Sequence, residues 1–188
     1  MDVLGNKRVA PDSWDFETHA EGPAGKIEFS AKMLISEPSG NIFAQSQNVG
    51  MGWDPKKLWG TQYMILSTMG GMRSDDGTPI ALGHHTGHFE LGMLIKTAAE
   101  QIQEMGGVPY TAYCSDPCDG RSQGTSGMMD SLPYRNDAAI VMRRLSRSIP
   151  TTKGVLGIAT CDKGLPAMMM ALACLLYTSP SPRDRVLS

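Results

Sequence analysis

The sequence lacks a large excess of charge of either sign and any long apolar run. Its 17 basic and 19 acidic residues leave a formal charge of −2, so nothing marks a surface for nucleic acid or an anionic membrane. The longest apolar stretch, residues 167–177, is too short to span a bilayer and predicts a buried helix. The polar residues 1–12 lack the apolar core of a secretory signal. We therefore expect a cytoplasmic protein without nucleic-acid or membrane partners.

Cysteine is also scarce, with four residues in a chain of 188, which is too few for a disulfide framework. Two of the four directly precede an aspartate, as Cys118-Asp119 and Cys161-Asp162. A thiolate suits iron–sulfur or zinc chemistry, whereas a carboxylate suits magnesium. The two pairs therefore predict a site that holds a soft metal centre beside a hard cation.

The hydrophobic pattern alternates between strands and helices and predicts an α/β fold with a largely parallel sheet flanked by helices. Gly106 and Gly107 end a helix of 3.6-residue period that starts near His88. Both Cys-Asp pairs follow a predicted strand, where ligands bind in such sheets. The remaining predicted elements are strands at residues 108–113 and 154–159, a helix capped by Asn136, and a helix with Pro166 in its first turn.

Other segments give weaker patterns. Residues 26–29 and 32–36 are compatible with short strands, and residues 79–82 with a buried strand. Residues 54–68 allow no assignment. Residues 115–135 are rich in Gly, Ser and Asp, which predicts a long loop with a functional role.

Structural interpretations of the pairs remain open on spacing alone. Asp162 could cap a helix beside a buried Cys161, and Asp119-Gly120 could form a turn with Cys118 incidental. Zinc bound by cysteine and histidine is a further alternative. Its candidate ligands are Cys114, Cys118, His84, His85 and His88.

Three motifs in order resemble the dihydroxy-acid and phosphogluconate dehydratase family, and most closely its sugar-acid branch, the D-xylonate dehydratases. They are Ser-Asp-Pro-Cys-Asp-Gly-Arg-Ser-Gln-Gly at 115–124, Asp-Ser-Leu-Pro-Tyr-Arg at 130–135 and Cys-Asp-Lys-Gly-Leu-Pro at 161–166. The resemblance extends over residues 13–173. It implies the N-terminal, cluster-binding domain of a longer two-domain enzyme.

The resemblance implies an iron–sulfur cluster held by three cysteines, two of which match Cys118 and Cys161. It implies Mg²⁺ bound by Asp119, Asp162 and Lys163, where Lys163 is the catalytic lysine that some members carbamylate. Dihydroxy-acid members carry a cluster cysteine in the segment that matches residues 86–88, and this chain has none there. That departure leaves a two-iron or a four-iron cluster open.

The implied reaction dehydrates a sugar acid, such as D-xylonate, to a 2-keto-3-deoxy acid. Magnesium would hold the substrate carboxylate and 2-hydroxyl, and an open iron would act as Lewis acid on the departing 3-hydroxyl. His88 and Arg121 are candidate substrate contacts. The alternatives are a phosphogluconate or dihydroxy-acid dehydratase and a noncatalytic zinc-binding or structural module.

The composition changes abruptly near Cys174, where a Ser/Pro-rich string begins. This string resembles the translation of a sequencing-library adaptor, so we predict a partial dehydratase domain over residues 1–173 and an artefact or disordered tail over 174–188. The third cluster cysteine, the serine base and a further Mg²⁺ carboxylate would then lie beyond the chain. We expect this chain to be inactive alone and the full-length enzyme to be a homo-oligomer.

Overall fold

A computed structural model describes residues 30–178, which belong to two compact units, Met1–Trp59 and Gly60–Ser188. The first unit contains α1 (Ala31–Ser36), α2 (Ser39–Gly50) and a short 3₁₀ turn (Pro55–Lys57). The strand predicted at residues 32–36 is wrong. The segment is helical because the Ser30 hydroxyl caps it, accepting the Met33 N–H at 3.1 Å. The strand predicted at residues 26–29 lies outside the described residues.

The second unit is built on a three-stranded parallel sheet. Its strands are β1 (Gln62–Ser67), β4 (Val108–Tyr113) and β5 (Gly154–Ile158), in the order β4-β1-β5. The segment at 54–68 that allowed no assignment thus contains the central strand. The predicted α/β class and the two later strands are confirmed.

Alternate residues of β1 point to different helical layers. Met64 and Leu66 pack against α5 (Ser131–Ser148) and α6 (Gly164–Thr178), whereas Ile65 packs against α3 (Thr86–Glu104). The strand is buried on both faces because helices cover it on both sides, as is usual in parallel sheets. The core residues of the three helices are Ala138, Met142, Ala167, Met168, Ala171, Leu91, Ile95 and Ile102.

The first long helix, α3, ends as predicted. Gly106 has a φ of 78°, which glycine adopts without steric cost. The Gly107 N–H then donates to the Ile102 carbonyl at 2.8 Å and closes the last turn. The chain is thereby turned into β4.

The prediction of one loop over residues 115–135 is wrong. The segment contains α4 (Asp119–Ser122) and a 3₁₀ turn (Ser126–Asp130), and α5 begins at Ser131 rather than after Asn136. Pro133 lies in the first turn of α5, where a missing N–H costs nothing, so the helix starts earlier than the apolar pattern indicates.

The strand predicted at residues 79–82 is present but not buried. It forms β3 (Pro79–Ala81), which pairs antiparallel with β2 (Met72–Arg73) in a separate hairpin, and all three of its residues are exposed. The turn between the two strands contains Gly77 with a φ of 86°.

The last described helix, α6, continues to Thr178, so the boundary predicted at residue 174 stays a prediction. Within residues 30–178, every helix is too short or too polar to cross a membrane.

Candidate functional site

The loops that follow the three parallel strands meet at one edge of the sheet. The Cys114 N–H donates to the Ser67 carbonyl at 2.9 Å, which joins the end of β4 to the end of β1. The Thr160 N–H donates to the Thr68 hydroxyl oxygen at 3.1 Å, which joins the loop after β5 to the loop after β1. The segments that carry the two Cys-Asp pairs are therefore held at the same end of the sheet.

Cys161 lies where β5 turns into α6, in a backbone conformation that its residue type disfavours. Its φ is 71°, and it is the only non-glycine residue with a positive φ among the described residues. The left-handed region costs a residue with a Cβ about 1–2 kcal/mol. Glycine would avoid this cost, so the strain makes Cys161 a candidate for a functional role.

The Cys161 sulfur is surrounded by hydrogen-bonding groups. His85 Nε2 lies 3.3 Å from Sγ, and the Asp162 backbone N–H and the Cys118 side chain lie close enough to shift the pKa of the thiol. Burial raises the pKa of the Cys161 thiol, and Asp116 and Cys118 raise it further, although the Asp162 N–H opposes them. The structure thus brings Cys118 and Cys161 together, as a shared metal centre requires.

The two remaining described cysteines do not join this pair. Cys114 Sγ lies 3.9 Å from the Tyr134 hydroxyl, which itself donates to the Ser115 carbonyl. Burial raises the pKa of Tyr134 to about 12 and raises that of Cys114. Cys174 is exposed on α6.

Asp119 and Lys163, predicted as metal ligands, form an ion pair beside the two thiols. Lys163 Nζ donates to Asp119 Oδ2 at 2.6 Å, and the Ser131 hydroxyl donates to Asp119 Oδ1. Both ionic side chains are largely shielded, with 8% of Lys163 and 15% of Asp119 exposed. The hydrogen bond from Lys163, followed by that from Ser131, lowers the pKa of Asp119.

Asp162, the third predicted metal ligand, is placed differently. Its side chain is exposed and forms no hydrogen bond or ion pair with any described residue. The carboxylate is therefore free to meet a ligand, although the structure does not join it to Asp119 and Lys163. Its role stays a prediction.

Sequence reasoning assigned no role to Asp116, which lies two residues before Cys118. It is fully buried and accepts hydrogen bonds from His88 Nε2 at 2.6 Å and from the Gly164 N–H at 3.0 Å. A Cβ on Gly164 would lie 3.0 Å from Asp116 Oδ2, so glycine permits this close approach. Burial raises the pKa of Asp116, and its interaction with His88 opposes the rise. Asp116 thus ties α3, the loop after β4 and the start of α6 together.

His88 and Arg121, predicted to contact substrate, occupy contrasting environments. His88 is fully buried, and its Nδ1 has no hydrogen-bond partner among the described residues. Arg121 is exposed and lines an open cavity of about 570 Å³ with His84 and Ser115. Its Nε donates to the His84 carbonyl at 2.8 Å, which leaves the end of the guanidinium facing the cavity rim. Neither substrate role is tested by these contacts.

Zinc bound by Cys114 and Cys118 with a histidine, one of the alternatives, is not assembled in residues 30–178. Among the described residues, the one cluster of three metal-ligating groups with ligand atoms within 4.8 Å of one another contains His85, His88 and Cys161. Cys161 is thus shared between this cluster and the thiol pair.

Comparison with known proteins gives a family match. A model of the N-terminal domain of the dihydroxy-acid/6-phosphogluconate dehydratases matches residues 81–180, just over half of the chain. That range includes both Cys-Asp pairs and Lys163.

Curated relatives extend this similarity. Over 158 residues the chain is 61% identical to D-xylonate dehydratase YagF of Escherichia coli, which covers 84% of this chain and 24% of the relative. Identity to D-xylonate dehydratase YjhG of the same organism is 56% over 162 residues, or 86% of this chain and 25% of the relative. A dihydroxy-acid dehydratase of Archaeoglobus fulgidus is 32% identical over 106 residues, 53% of this chain and 19% of the relative. The chain spans about a quarter of the length of its two xylonate relatives.

The backbone strain at Cys161 predicts an unusual order of stability. In metal-free protein, Cys161→Gly should be more stable to urea than Cys161→Ala by about 1 kcal/mol, because only glycine adopts a φ of 71° without steric cost. At an ordinary helical or strand position glycine is the less stable residue. A Cys161→Ala protein as stable as Cys161→Gly would show that the residue is unstrained.

The lowered pKa of Asp119 predicts a dependence of stability on pH. A carboxylate with a lowered folded-state pKa stabilises the fold above its unfolded value, near 4, and this contribution is lost as the pH falls through the folded value. In metal-free protein, Asp119→Asn should therefore reduce the acid-induced decline in the free energy of unfolding below about pH 4.

The matched control is Asp162→Asn, which changes an exposed neighbouring carboxylate that forms no hydrogen bond or ion pair with a described residue. Urea denaturation at a series of pH values should show the wild-type decline in this control. An equal decline in Asp119→Asn would contradict the role given to the Lys163 and Ser131 hydrogen bonds.

Proposed function

The chain belongs to the dihydroxy-acid/6-phosphogluconate dehydratase family, and on that premise we propose that it forms the N-terminal, cluster-binding part of a sugar-acid dehydratase. The intact enzyme is a hydro-lyase that converts a D-xylonate-like aldonate to a 2-keto-3-deoxy acid. We choose this substrate because the chain is 61% identical to a D-xylonate dehydratase over 84% of its length. Identity to the dihydroxy-acid dehydratases is much lower, between 32% and 35%.

The thiol pair fits an iron–sulfur cluster. Cys118 and Cys161 present two soft donors close enough to affect each other electrostatically, with Cys118 buried and Cys161 partly exposed. Cys161 retains its thiol in a conformation that favours glycine. In the proposed enzyme these two residues hold a two-iron or four-iron cluster, and a third cysteine comes from outside this chain. When bound, the cluster supplies a Lewis-acidic iron for the departing 3-hydroxyl.

The neighbouring acidic group fits a hard cation. Asp119 offers carboxylate oxygens next to the thiols, and Ser131 fixes the orientation of one of them. Exposed Asp162 completes the carboxylate ligands from this chain. When bound, Mg²⁺ supplies positive charge that stabilises the enolate-like charge formed at C2.

Lys163 is the proposed catalytic residue of this chain. Its ammonium neutralises Asp119 at 2.6 Å when no cation is present. Loss of a proton gives a neutral amine, and addition of CO₂ to it with release of a second proton gives a carbamate. That reaction would replace a cationic nitrogen by anionic oxygens, which magnesium prefers. Lys163 would then become a metal ligand.

Substrate binding is assigned to the cavity at the sheet edge. The exposed Arg121 guanidinium is suited to a sugar-acid carboxylate, since it offers several donors in one plane. His88 is fully buried and bonded to Asp116, so its proposed role is to hold Asp116 and its loop in place. We also propose that the intact enzyme is cytoplasmic and homo-oligomeric.

Anaerobic analysis of the intact enzyme tests this function. Wild type should contain iron and acid-labile sulfide and dehydrate D-xylonate faster than 6-phosphogluconate or a branched dihydroxy acid. Cys118→Ser and Cys161→Ser should each lose most of the iron and reduce turnover at least about 100-fold, because a cluster ligand is lost. Cys114→Ser is the matched control, since Cys114 contacts Tyr134 instead, and it should retain its cluster.

Two results would contradict the proposal. One is stoichiometric zinc without sulfide in the intact protein, which would support a noncatalytic zinc-binding module. The other is D-xylonate turnover at enzyme-like rates by the 188-residue chain alone, which would show that no group outside it is needed.

A further inference from the structure

His85 caps the start of α3 with its side chain. Its Nδ1 accepts the Gly87 N–H at 2.8 Å, and its backbone is extended, as is usual for a capping residue. A backbone amide only donates, so Nδ1 must present its lone pair. A neutral imidazole has one N–H, and Nε2 of His85 therefore carries the proton.

The protonated nitrogen faces the sulfur of Cys161. His85 Nε2 lies 3.3 Å from Cys161 Sγ, which is within the range of an N–H···S hydrogen bond. Because Nε2 already carries a proton, it has no lone pair to offer a metal ion. Although His85, His88 and Cys161 lie close enough to bind an ion together, His85 is better suited to donate to the sulfur than to act as a ligand.

The packing around His85 fixes this orientation. A Cβ at Gly87 would lie 2.6 Å from Cε1 of His85 and 3.0 Å from the Thr160 hydroxyl, so the ring fits only beside a glycine. On another side the ring packs against His88, with centroids 4.3 Å apart. His88 is itself held by Asp116 at 2.6 Å. The hydrogen bond to sulfur is therefore part of a closely packed, partly buried arrangement.

We propose that His85 is a positioning residue that donates a hydrogen bond to the cluster-ligating sulfur of Cys161 and thereby raises the reduction potential of the cluster. This inference rests on the proposed function, because it requires Cys161 to ligate iron. A hydrogen bond to a ligating sulfur stabilises negative charge there, and the reduced cluster carries one more negative charge than the oxidised cluster. Loss of the donor therefore disfavours reduction.

The test is a redox titration of the intact, cluster-loaded enzyme, followed by electron paramagnetic resonance. His85→Leu should lower the reduction equilibrium constant about tenfold, which is a shift of about 59 mV for a one-electron couple. His85→Gln, whose amide can still donate, should recover much of the shift. Gly87→Ala should lower the potential as well, because its methyl group displaces the ring.

His84→Leu is the matched control. It removes an adjacent exposed imidazole whose ring lies edge-on to His88, at a centroid distance of 5.6 Å, and forms no hydrogen bond with Cys161. Its potential should equal that of wild type. If His85→Leu does not load a cluster, the test compares wild type with His85→Gln and Gly87→Ala. Gly87→Ala must then have the lowest reduction potential of the three.

The possible failures are distinguishable. Wild-type enzyme without iron and sulfide would overturn the proposed function and this inference together. Variants that carry wild-type amounts of iron and sulfide, with potentials equal to wild type, would overturn the role of His85 alone.

Discussion

The site depends on the parallel pairing of β4 and β5 with the central strand β1. Parallel strands end at the same edge of a sheet, so the strand pairing alone brings together the loops after β1, β4 and β5. Residues 118 and 161 are more than forty positions apart in the sequence, yet their side chains lie close enough for Cys118 to raise the pKa of Cys161. A slip in register would separate them, and burial of β1 on both faces opposes such a slip.

A second constraint comes from buried polar groups beneath the thiols. Asp116 binds His88 on α3 and the first amide of α6, which fixes two helices to one loop. Such groups lose water on burial, so the network is stable only when its partners are all in place. Next to this network, His85 contacts the Cys161 sulfur and Lys163 donates to the Asp119 carboxylate. The residues that stabilise this part of the fold therefore also surround the candidate site. The strained backbone of Cys161 is tolerated because the neighbouring residues hold it in place.

Sequence patterns predicted the elements whose signals are local. The α3 helix has a clear apolar period and a glycine end, and β4 and β5 are short apolar runs, so all three were found. The start of α5 was misplaced because Pro133 looks like a loop residue but is accepted in a first helical turn. The central strand gave no clear signal, since its burial on two faces removes the alternation that marks a strand.

The convergence of Cys118 and Cys161 was predicted from the two Cys-Asp pairs, the strand ends and the family resemblance, but the contacts around them were not. The roles of Asp116 and Ser131 arise from tertiary proximity across 28 and 12 positions, which no local pattern encodes. Anomalous diffraction at the iron edge from anaerobic crystals of the intact enzyme tests the central claim most directly. The account predicts iron within bonding distance of both Cys118 Sγ and Cys161 Sγ. Iron bound to neither sulfur, or to only one of them, would contradict it.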